Sequence, residues 1–496
     1  MTLTQPISQS TIQQILDSTP KSSFINGSFT GGTPGLDVID PATGRAFAQV
    51  VDANPLTAGA AALDAAVAAQ QKWAASLPRE RSELLMRAFD LVHERADALA
   101  VLMTLEMGKP LAEAYGEVSY GAEFLRWFAE EAVRIPGTWQ QAPQADHVIT
   151  VSHKPVGPVL AITPWNFPLS MGTRKIAPAI AAGCTVVIKP AAATPLTMLA
   201  FMQILKDAGL PDGVVNCVVT SGSSELSSSL LADPRLRKLS FTGSTDVGRS
   251  LLELTAPQVL KSSMELGGNA PFLVLPSADL DTAVNAIMPA KFRNNGEACT
   301  AANRIYVHAS LAEEFTRRLV AKAEELQVGA GIDAGTTLGP LINEDAVAKV
   351  EELVQDAVDK GAAVLTGGKR LDRDGFFFAP TVLGDVPRSA RVNREEIFGP
   401  VAPVIVMDDV DSMITAANDT EFGLMSYVIA EDQAEIDRVT RRIESGMLAV
   451  NVGVASDASA PFGGVKASGL GREGASAGML EYLEPFYVRR PRAAAD

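Results

Sequence analysis

Cysteine is scarce in this sequence, which contains three cysteines among 496 residues. A small, odd number of cysteines argues against a disulfide framework and favours a reducing compartment, so we expect a cytoplasmic protein. Cys184 and Cys217 lie within apolar patterns, where cysteine packs as a small hydrophobic residue. Cys299 lies instead in the polar, glycine-broken stretch FRNNGEACTAANR (292–304). Apolar packing does not explain a cysteine in such a stretch.

Basic residues are outnumbered by acidic ones, and long hydrophobic runs are absent from the sequence. The chain has 42 basic and 58 acidic residues, a net charge of −16 and an isoelectric point near 4.9. An acidic protein is repelled by phosphate backbones and by anionic membranes, so we expect neither nucleic-acid nor membrane partners. No apolar stretch reaches the roughly 18 residues that span a bilayer. No basic region followed by an apolar run opens the chain, so we expect no secretory signal.

Several patterns of catalytic and metal-binding residues are missing. The sequence has no Walker A motif and no CxxC pair. Its histidines are scattered and lie outside the motifs described below; they are His93, His147, His153 and His308. This distribution argues against a Ser-His-Asp hydrolase and against a histidine-ligated metal site, so we expect no metal.

The composition is that of a folded globular protein, with 47% apolar and 20% charged residues. The length predicts two or three domains. Helical spacing dominates residues 57–133, and from residue 155 short buried strands alternate with helices, which predicts an α/β fold with a parallel sheet. A second α/β block begins near Pro271. Its predicted strands are PFLVL (271–275), AAVLTGG (362–368), FFFAPTVL (376–383), VAPVIVM (401–407) and GLMSYVIA (423–430).

Some segments do not fit this alternation. The first 20 residues and the last six, PRAAAD, have the composition of loose ends. Residues 139–155 alternate polar and apolar side chains, which predicts a hairpin that pairs outside its own domain. An exposed strand there needs a partner to avoid aggregation, which favours an oligomer. The Gly- and Ser-rich ASAPFGGVKASGLGREG predicts a long ordered loop.

Two candidate catalytic residues emerge from the residues alone. Cys299 could be a nucleophile, since Asn294, Asn295 and Gly296 supply backbone and amide donors just upstream. It could equally be a half-buried loop cysteine. Glu265, in MELGGNAP, ends a predicted strand and could activate a water, because ligands bind at the carboxyl ends of parallel strands. The alternative is a surface carboxylate in a loop.

Three further motifs lie at predicted strand ends. In PWNFP (164–168) two prolines fix the loop, so Asn166 is either a rigid amide donor for an oxyanion hole or a turn-forming residue. Lys189 ends the apolar strand TVVIKP, where lysine is rare unless it meets a ligand or a partner. In FTGSTDVG (241–248) the Gly243–Ser244 turn precedes a helix start, which either binds phosphate or is a plain turn.

Together these motifs are far more specific than any one of them. In order, the chain carries PWNFP, KP, FTGSTDVGR, MELGGNAP, FRNNGEAC, EEIFGPV and PFGGVKASGLGREG. It resembles the aldehyde dehydrogenase superfamily from about residue 22 to 490, and within it most closely the succinate-semialdehyde dehydrogenases. The resemblance implies a Rossmann-like cofactor-binding domain (22–135 and 156–267), an α/β catalytic domain (268–455) and a β oligomerisation arm (136–155 and 480–493). The family pairs such arms, so a homodimer or homotetramer is expected.

The resemblance also implies catalytic roles. Cys299 matches the nucleophile that attacks the aldehyde carbon, and Asn166 with the backbone N–H of Cys299 matches the oxyanion hole. Glu265 matches the base that activates water to hydrolyse the thioester left by hydride transfer. Members that pass the acyl group to coenzyme A lack this Glu, so release of a free acid is expected. The residues that match dinucleotide contacts are Trp165, Lys189, Gly243, Ser244, Leu266, Glu396 and Phe398.

One position bears on the choice between NAD and NADP. Members restricted to NAD often carry a Glu three residues after the strand-end lysine, where it repels a 2′-phosphate, and here this residue is Ala192. Without that carboxylate Lys189 could help to bind a phosphate, so NADP is favoured and NAD stays open. The alternative is that Ala192 is merely small and that other groups hold NAD.

Three positions match residues that bind the distal carboxylate in the semialdehyde enzymes: Arg174, Arg293 and Ser456. Two guanidinium groups give a bidentate grip on a carboxylate, although both arginines could instead form structural salt bridges. The expected activity is oxidation of the small-molecule aldehyde succinate semialdehyde to succinate. Alternatives are a dehydrogenase for glutarate semialdehyde or for aldehydes in general, a non-catalytic relative, and a thioester hydrolase that uses no cofactor.

The sequence departs from the family pattern near the nucleophile. Glu297 stands where the family usually has Gln, and facing Cys299 it would raise the thiol pKa, so we expect it to point away or to be paired. Ala301 stands where some semialdehyde enzymes have a second cysteine, so a local redox disulfide cannot form.

Overall fold

The computed structural model describes residues 7–144 and 146–491. The strands are β1 (Phe24–Ile25), β2 (Ser28–Phe29), β3 (Pro34–Asp40), β4 (Arg45–Val51), β5 (Thr138–Gln141), β6 (His147–Pro155), β7 (Val159–Ile162), β8 (Val186–Lys189), β9 (Val215–Cys217), β10 (Lys238–Thr242), β11 (Lys261–Glu265), β12 (Ala270–Val274), β13 (Ala302–His308), β14 (Ala363–Thr366), β15 (Thr381–Gly384), β16 (Val401–Met407), β17 (Met425–Ile429), β18 (Met447–Val450), β19 (Gly469–Leu470) and β20 (Leu483–Pro491). The α-helices are α1 (Gln9–Ser18), α2 (Pro55–Ala74), α3 (Pro78–Glu94), α4 (Ala96–Met107), α5 (Leu111–Ala132), α6 (Ser170–Ala182), α7 (Leu196–Asp207), α8 (Ser223–Leu231), α9 (Thr245–Thr255), α10 (Leu280–Phe292), α11 (Ala309–Glu324), α12 (Glu344–Asp359), α13 (Val410–Asn418), α14 (Gln433–Thr440) and α15 (Ala475–Leu480).

The helical region predicted over residues 57–133 consists of α2 to α5, which confirms the prediction. Proline occupies the first position of α2 and of α3, where the N–H group that proline lacks would have no helical partner. Helix α4 ends at Gly108, whose φ of 93° is a left-handed conformation that glycine adopts without strain. The chain turns there, and the next residue, Lys109, is fully buried.

The first large sheet contains eight strands in the order β19-β11-β10-β7-β8-β9-β1-β2. The run from β11 to β9 is parallel, as the alternating strands and helices predict. Apolar, largely β-branched residues fill β7 and β8, and both strands are buried along their whole length. Because the strands are parallel, the carboxyl ends of β7, β8, β10 and β11 meet at one edge of the sheet.

The second large sheet contains seven strands in the order β14-β15-β16-β13-β12-β17-β18. Its neighbouring strands are parallel except for β14 and β15. The strand predicted over residues 376–383 is wrong in its first half, since β15 begins at Thr381. Phe377 and Phe378 are nevertheless buried. Phe378 forms only an isolated antiparallel bridge with Arg370, so the apolar character of this segment mainly reflects core packing.

The prediction of a loose N-terminus is wrong for the part of it that the structure describes. Helix α1 occupies Gln9–Ser18, and the side chain of Ser8 caps it by accepting a hydrogen bond from the N–H of Thr11. Ile12 and Leu16, one helical turn apart, are buried in the core of the first half of the chain. Their i, i+4 spacing is a helical signal that the composition argument overlooked. All but the first residue of the predicted C-terminal tail lies outside the described residues.

The predicted hairpin at 139–155 is confirmed, because β5 and β6 pair antiparallel. Strand β6 also pairs along its whole length with β20, which gives a three-stranded sheet of order β20-β6-β5. Trp139 on this sheet is 70% exposed. Across residues 7–144 and 146–491 no helix is long and apolar enough to cross a membrane. The domain boundaries given above stay a prediction.

Candidate active site

A cavity of about 390 Å³ lies at the carboxyl edge of the first large sheet, and loops that precede β13 and β16 of the second sheet also line it. It brings together all but three of the predicted site residues. Those in its lining are Trp165, Asn166, Arg174, Gly243, Ser244, Leu266, Arg293, Cys299, Glu396, Phe398 and Ser456. Glu265, Lys189 and Ala192 are not part of the lining.

A strained turn presents Cys299 to this cavity. Asn294 and Asn295 have φ angles of 56° and 60°, left-handed values that asparagine tolerates better than most residues. At Gly296 φ is 77°, and a Cβ there would lie 2.3 Å from the carbonyl oxygen of Gly399. The Asn-Asn-Gly run upstream of Cys299 therefore allows the left-handed backbone conformation of this turn. Cys299, which follows the turn, is half-buried.

The thiol of Cys299 is protonated at neutral pH in this environment. Burial and the carboxylates of Glu396 and Glu265 raise its pKa to about 12, while the guanidinium groups of Arg174 and Arg293 oppose that rise. The other two cysteines, Cys184 and Cys217, are buried in the apolar core, as predicted. None of the three cysteines forms a disulfide.

Asn166 is buried, and its side chain is held in one orientation. Its Nδ2 donates to the carbonyl oxygen of Glu297 at 2.9 Å, which uses one of the two amide hydrogens. The backbone carbonyl oxygen of Asn166 accepts hydrogen bonds from Lys109 Nζ at 2.9 Å and from Asn294 Nδ2 at 3.1 Å. The second amide hydrogen of Asn166 remains available to the cavity that the residue lines.

Glu265 ends β11 and is buried. Its Oε2 has no hydrogen-bond partner in the part of the chain that the structure describes. Burial and the neighbouring carboxylate of Glu473 raise the pKa of Glu265 well above its usual range. Although Glu473 is buried too, its ion pairs with Arg174 and Lys175 hold its pKa below the usual value. Of the two carboxyl groups, Glu265 therefore has the higher pKa and binds a proton first as the pH falls.

Sequence reasoning did not single out Lys175 or Glu473. Lys175 directly follows the predicted site residue Arg174, and Glu473 belongs to the quoted motif PFGGVKASGLGREG. The signal for their pairing was absent, because the two residues are 298 positions apart. A folded chain is needed to bring them together.

The two arginines predicted to hold a carboxylate line the cavity together with Ser456. The guanidinium carbon of Arg174 lies 4.1 Å from the centre of the Phe462 ring. Nη2 of Arg174 and Nε of Arg293 are buried and make no hydrogen bond to any described residue. Arg174 is thus both a structural ion-pair partner and a donor with an unused N–H group. Tyr120, which the sequence analysis did not name, lines the same cavity.

Glu297, the unusual residue near the nucleophile, does not line the cavity and is only partly paired, because its Oε2 has no hydrogen-bond partner among the described residues. Its carboxyl group is fully buried, and Oε1 accepts a hydrogen bond from the backbone N–H of Ile342 at 3.0 Å. Burial raises the pKa of this carboxyl well above its usual value. Its side chain therefore ties the nucleophile loop to the segment before α12.

Another part of the cavity wall has the features of a dinucleotide site. Ser244 precedes α9, and its side chain caps none of the N–H groups at that helix start, which leaves them free for phosphate. A Cβ at Gly243 would lie 2.5 Å from the Phe241 ring, so glycine is required there. Glu396 accepts a hydrogen bond from the N–H of Gly268 at 3.1 Å, and burial raises its pKa to about 7.

Lys189 lies at the end of β8, outside the cavity, where its carbonyl oxygen accepts a hydrogen bond from the N–H of Thr163 at 3.2 Å. Burial lowers the pKa of its ammonium group to about 8, with no acidic group contributing to the shift. A largely buried ammonium group without an acidic partner suits an anionic or hydroxyl-rich ligand. Ala192 follows in the same loop and is partly exposed. These residues fit a nicotinamide dinucleotide.

The comparisons with known proteins agree with this geometry. The family model described as the aldehyde dehydrogenase family matches residues 29–488. The succinate-semialdehyde dehydrogenase of Paenarthrobacter nicotinovorans is 56% identical over 428 residues, which are 86% of this chain and 95% of that protein. The glutarate-semialdehyde dehydrogenase of Pseudomonas putida is 48% identical over 470 residues, 94% of this chain and 97% of that protein.

A solved structure gives the same result for the fold. The crystal structure of an NADP-dependent enzyme from E. coli superposes with a TM-score of 0.94 at 46% identity, and the match covers 97% of this chain and 99% of the other. The chain belongs to the aldehyde dehydrogenase family. The α/β fold predicted from the strand and helix pattern is confirmed.

Proposed function

We propose that this enzyme oxidises succinate semialdehyde to succinate with NADP⁺ or NAD⁺. The observation that carries the proposal is one cavity that holds a cysteine, a fixed amide donor and two arginines with unpartnered N–H groups. A carboxylate at the far end of the substrate would satisfy those N–H groups. The function of the relative that is 56% identical supports this choice of substrate.

The proposed chemistry begins at Cys299. Its Sγ loses the proton to solvent and bonds to the aldehyde carbon. The π electron pair of the C=O bond moves to the oxygen, and the resulting oxyanion accepts from the second amide hydrogen of Asn166 and from the N–H of Cys299. The nicotinamide, when bound, supplies the acceptor for the hydride that leaves the adduct carbon. Glu265, once deprotonated, takes a proton from a water whose oxygen attacks the resulting thioester. The C–S bond then breaks, and succinate leaves.

The dinucleotide is proposed to lie along Trp165, Gly243, Ser244, Leu266, Glu396 and Phe398. Lys189 and Ala192 would face its adenosine end. Because Ala192 offers no carboxylate to repel a 2′-phosphate and Lys189 has no acidic partner, NADP⁺ is the favoured cofactor. The structural neighbour that depends on NADP supports this choice.

A single-turnover experiment tests the proposed function. Glu265→Gln should form about one NADPH per active site in a burst and then stop, because acylation of Cys299 proceeds while hydrolysis lacks its base. Mass spectrometry should find a succinyl group on Cys299. Cys299→Ala should lose the burst, and Cys217→Ala, which alters a buried core cysteine, should turn over as the wild type does. Steady turnover by Glu265→Gln at the wild-type rate would contradict the role of Glu265.

A second candidate substrate is glutarate semialdehyde, which has one more methylene group. The relative at 48% identity that acts on this aldehyde favours it. One methylene changes selectivity by only about 10–200-fold, so the arginines serve both substrates. The ratio of kcat/KM for the two semialdehydes decides between them, and a larger value for the longer substrate would replace our first choice.

We further propose that the sheet of β20, β6 and β5 is the arm of a homodimer or homotetramer. Trp139 is 70% exposed on it, and the outer edges of the sheet carry unpaired backbone groups. Light scattering that finds a monomer at micromolar concentration would contradict this.

The three free cysteines support a cytoplasmic, reducing location for the enzyme.

A further inference from the structure

One face of helix α5 presents to the site a stripe of side chains that have no role in the proposed chemistry. Its members are spaced three or four residues apart and so share one helix face: Glu113, Glu117, Tyr120 and Phe124. Glu113 accepts the backbone N–H of Asn294 at 2.6 Å and so touches the turn before the nucleophile. Tyr120 lines the cavity, and the Phe124 ring centre lies 5.8 Å from the guanidinium carbon of Arg174.

Glu117, in the middle of the stripe, forms an ion pair with Lys109. The two side chains are 1% and 0% exposed, so the charges are completely removed from water. Nζ of Lys109 also donates to the carbonyl oxygen of Asn166 at 2.9 Å. It lies 4.2 Å from the centre of the Phe167 ring, which adds a cation–π contact to the same loop.

Glu117, the other member of the ion pair, contacts the residues that follow Asn166 and Phe167. Oε1 of Glu117 accepts hydrogen bonds from the N–H groups of Leu169 and Ser170 at 2.9 and 3.0 Å. These are the first N–H groups of α6, which a carboxylate at a helix start satisfies well. Lys109 and Glu117 therefore fix both ends of the segment that contains Asn166.

Stability alone does not explain this ion pair. The desolvation of two buried charges largely offsets their attraction, and apolar residues of similar volume often serve a core equally well. The pair does fix the position of one segment, because its remaining hydrogen bonds all go to the loop and the helix start that follow β7. That loop carries the amide on which the oxyanion depends.

We propose that Lys109 and Glu117 are positioning residues that hold the side-chain amide of Asn166 in its oxyanion-binding orientation. This inference rests on the proposed function. Lys109 acts on the backbone: it supplies one of two donors to the backbone carbonyl oxygen of Asn166, and the other is the side-chain amide of Asn294. Without Lys109 the loop loses one anchor on that side. A displacement of about 1 Å at a reacting group lowers a rate by roughly a hundredfold.

The test measures the pre-steady-state rate of NADPH formation from succinate semialdehyde. Lys109→Met should lower this rate by about tenfold to a hundredfold, as expected for a misdirected oxyanion donor. The dissociation constant for NADPH and the rate of Cys299 alkylation by iodoacetamide should stay within about twofold of the wild type, since neither uses the amide. Glu123→Gln, at a half-exposed position of α5, is the control and should leave the rate unchanged; it matches the Glu117→Gln variant described below.

A double-mutant cycle separates positioning from a general structural role. If Lys109 acts through the Asn166 amide, the variant Asn166→Ala with Lys109→Met should be no slower than Asn166→Ala alone. Additive losses, or a Lys109→Met rate equal to that of the wild type, would overturn the proposal.

Two further measurements keep the outcome unambiguous. If Lys109→Met does not fold, Glu117→Gln replaces it, because the Gln oxygen still accepts the N–H groups at the start of α6 while the ion pair is lost. The same fall in rate and the same cycle with Asn166→Ala are then expected. A wild-type enzyme that forms no NADPH from any aldehyde would instead overturn the proposed function.

Discussion

At the scale of single residues, the reactivity of Cys299 is determined by its neighbours. Two carboxylates raise the pKa of the thiol and two guanidinium groups lower it, while burial adds the largest rise. The resulting pKa of about 12 means that little thiolate exists at neutral pH before ligands bind. Changing one neighbouring charge therefore changes the reactivity of this cysteine in a direction that follows from its sign.

Glu396→Gln should make Cys299 more reactive toward iodoacetamide in the unliganded protein. The pKa of Glu396 is about 7, so this carboxylate is charged at pH 8.5, and its removal lowers the thiol pKa. We expect alkylation to be about threefold to tenfold faster, which corresponds to roughly half a pKa unit to one unit. In the wild type the rate should keep rising with pH from about 8 to 11, because the thiol pKa lies higher still.

Glu395→Gln is the control for that measurement. Glu395 is the adjacent residue, and it forms a solvent-exposed ion pair with Arg391. Its replacement should leave alkylation unchanged. An alkylation rate in Glu396→Gln that equals or falls below that of the wild type would show that Glu396 does not raise the thiol pKa.

Most residues that line the cavity could be predicted from the sequence, whereas those that hold them in place could not. Asn166, Lys189 and Glu265 follow buried strands, and strand ends are where parallel sheets bind ligands. Lys109 carried no such signal, because its partner in the loop is 57 residues away. Glu117 lies on a helix with the spacing of an ordinary surface carboxylate. Its complete burial arises only from tertiary packing.

At the scale of elements, the proposed dinucleotide contacts lie at the ends of β8 and β10. Lys189 ends β8 without an acidic partner, and the Gly243–Ser244 turn after β10 leaves helix N–H groups free. These features suit phosphate groups. The preference for NADP over NAD should therefore depend on the protonation of one lysine.

The affinity for NADP should weaken as the pH rises through about 8. Burial lowers the pKa of Lys189 to about 8, so its ammonium group is charged below that pH and becomes neutral above it. Binding of a 2′-phosphate favours the charged form, whereas NAD lacks this phosphate. Dissociation constants from fluorescence quenching between pH 6.5 and 9.5 should rise for NADP by about tenfold and change little for NAD. Equal pH dependence for both cofactors would contradict a contact between Lys189 and the phosphate.

Ala192→Glu tests the proposed phosphate contact by adding a negative charge to the same loop. A carboxylate at this position should repel the 2′-phosphate and raise the dissociation constant for NADP by about tenfold or more, with NAD little affected. Ala192→Gln has nearly the same shape without the charge and is the matched control. If Gln and Glu weaken NADP binding equally, the effect is steric and the cofactor assignment loses this support.

Most elements followed from hydrophobic spacing, and the exceptions have physical reasons. The helical region α2 to α5 and most of the longer buried strands were predicted from apolar spacing or from short apolar runs, whereas β13, β18 and the two-residue strands β1, β2 and β19 were not predicted. Helix α1 was missed because its polar composition masks the two buried residues, Ile12 and Leu16. The run FFFAPTVL was assigned too long a strand, since aromatic residues have high strand propensity even where tertiary packing alone buries them.

At the scale of the whole molecule, an acidic protein surrounds a cavity that is lined by two arginines. The net charge is −16, yet Arg174 and Arg293 both line the cavity with N–H groups that no described residue accepts. Arg174 also joins this end of the cavity to Glu473, whose carboxylate lies next to that of Glu265. The selectivity of the enzyme should thus reside in the far end of the substrate.

The most direct test of the central claim compares succinate semialdehyde with butanal, each with NADP and with NAD. Both aldehydes have the same chain length and differ in the distal carboxylate. We predict a kcat/KM at least a hundredfold higher for the semialdehyde, equivalent to about 2.7 kcal/mol of transition-state stabilisation. Equal use of butanal would mean that the two arginines are structural, and it would contradict the assignment of a semialdehyde as substrate.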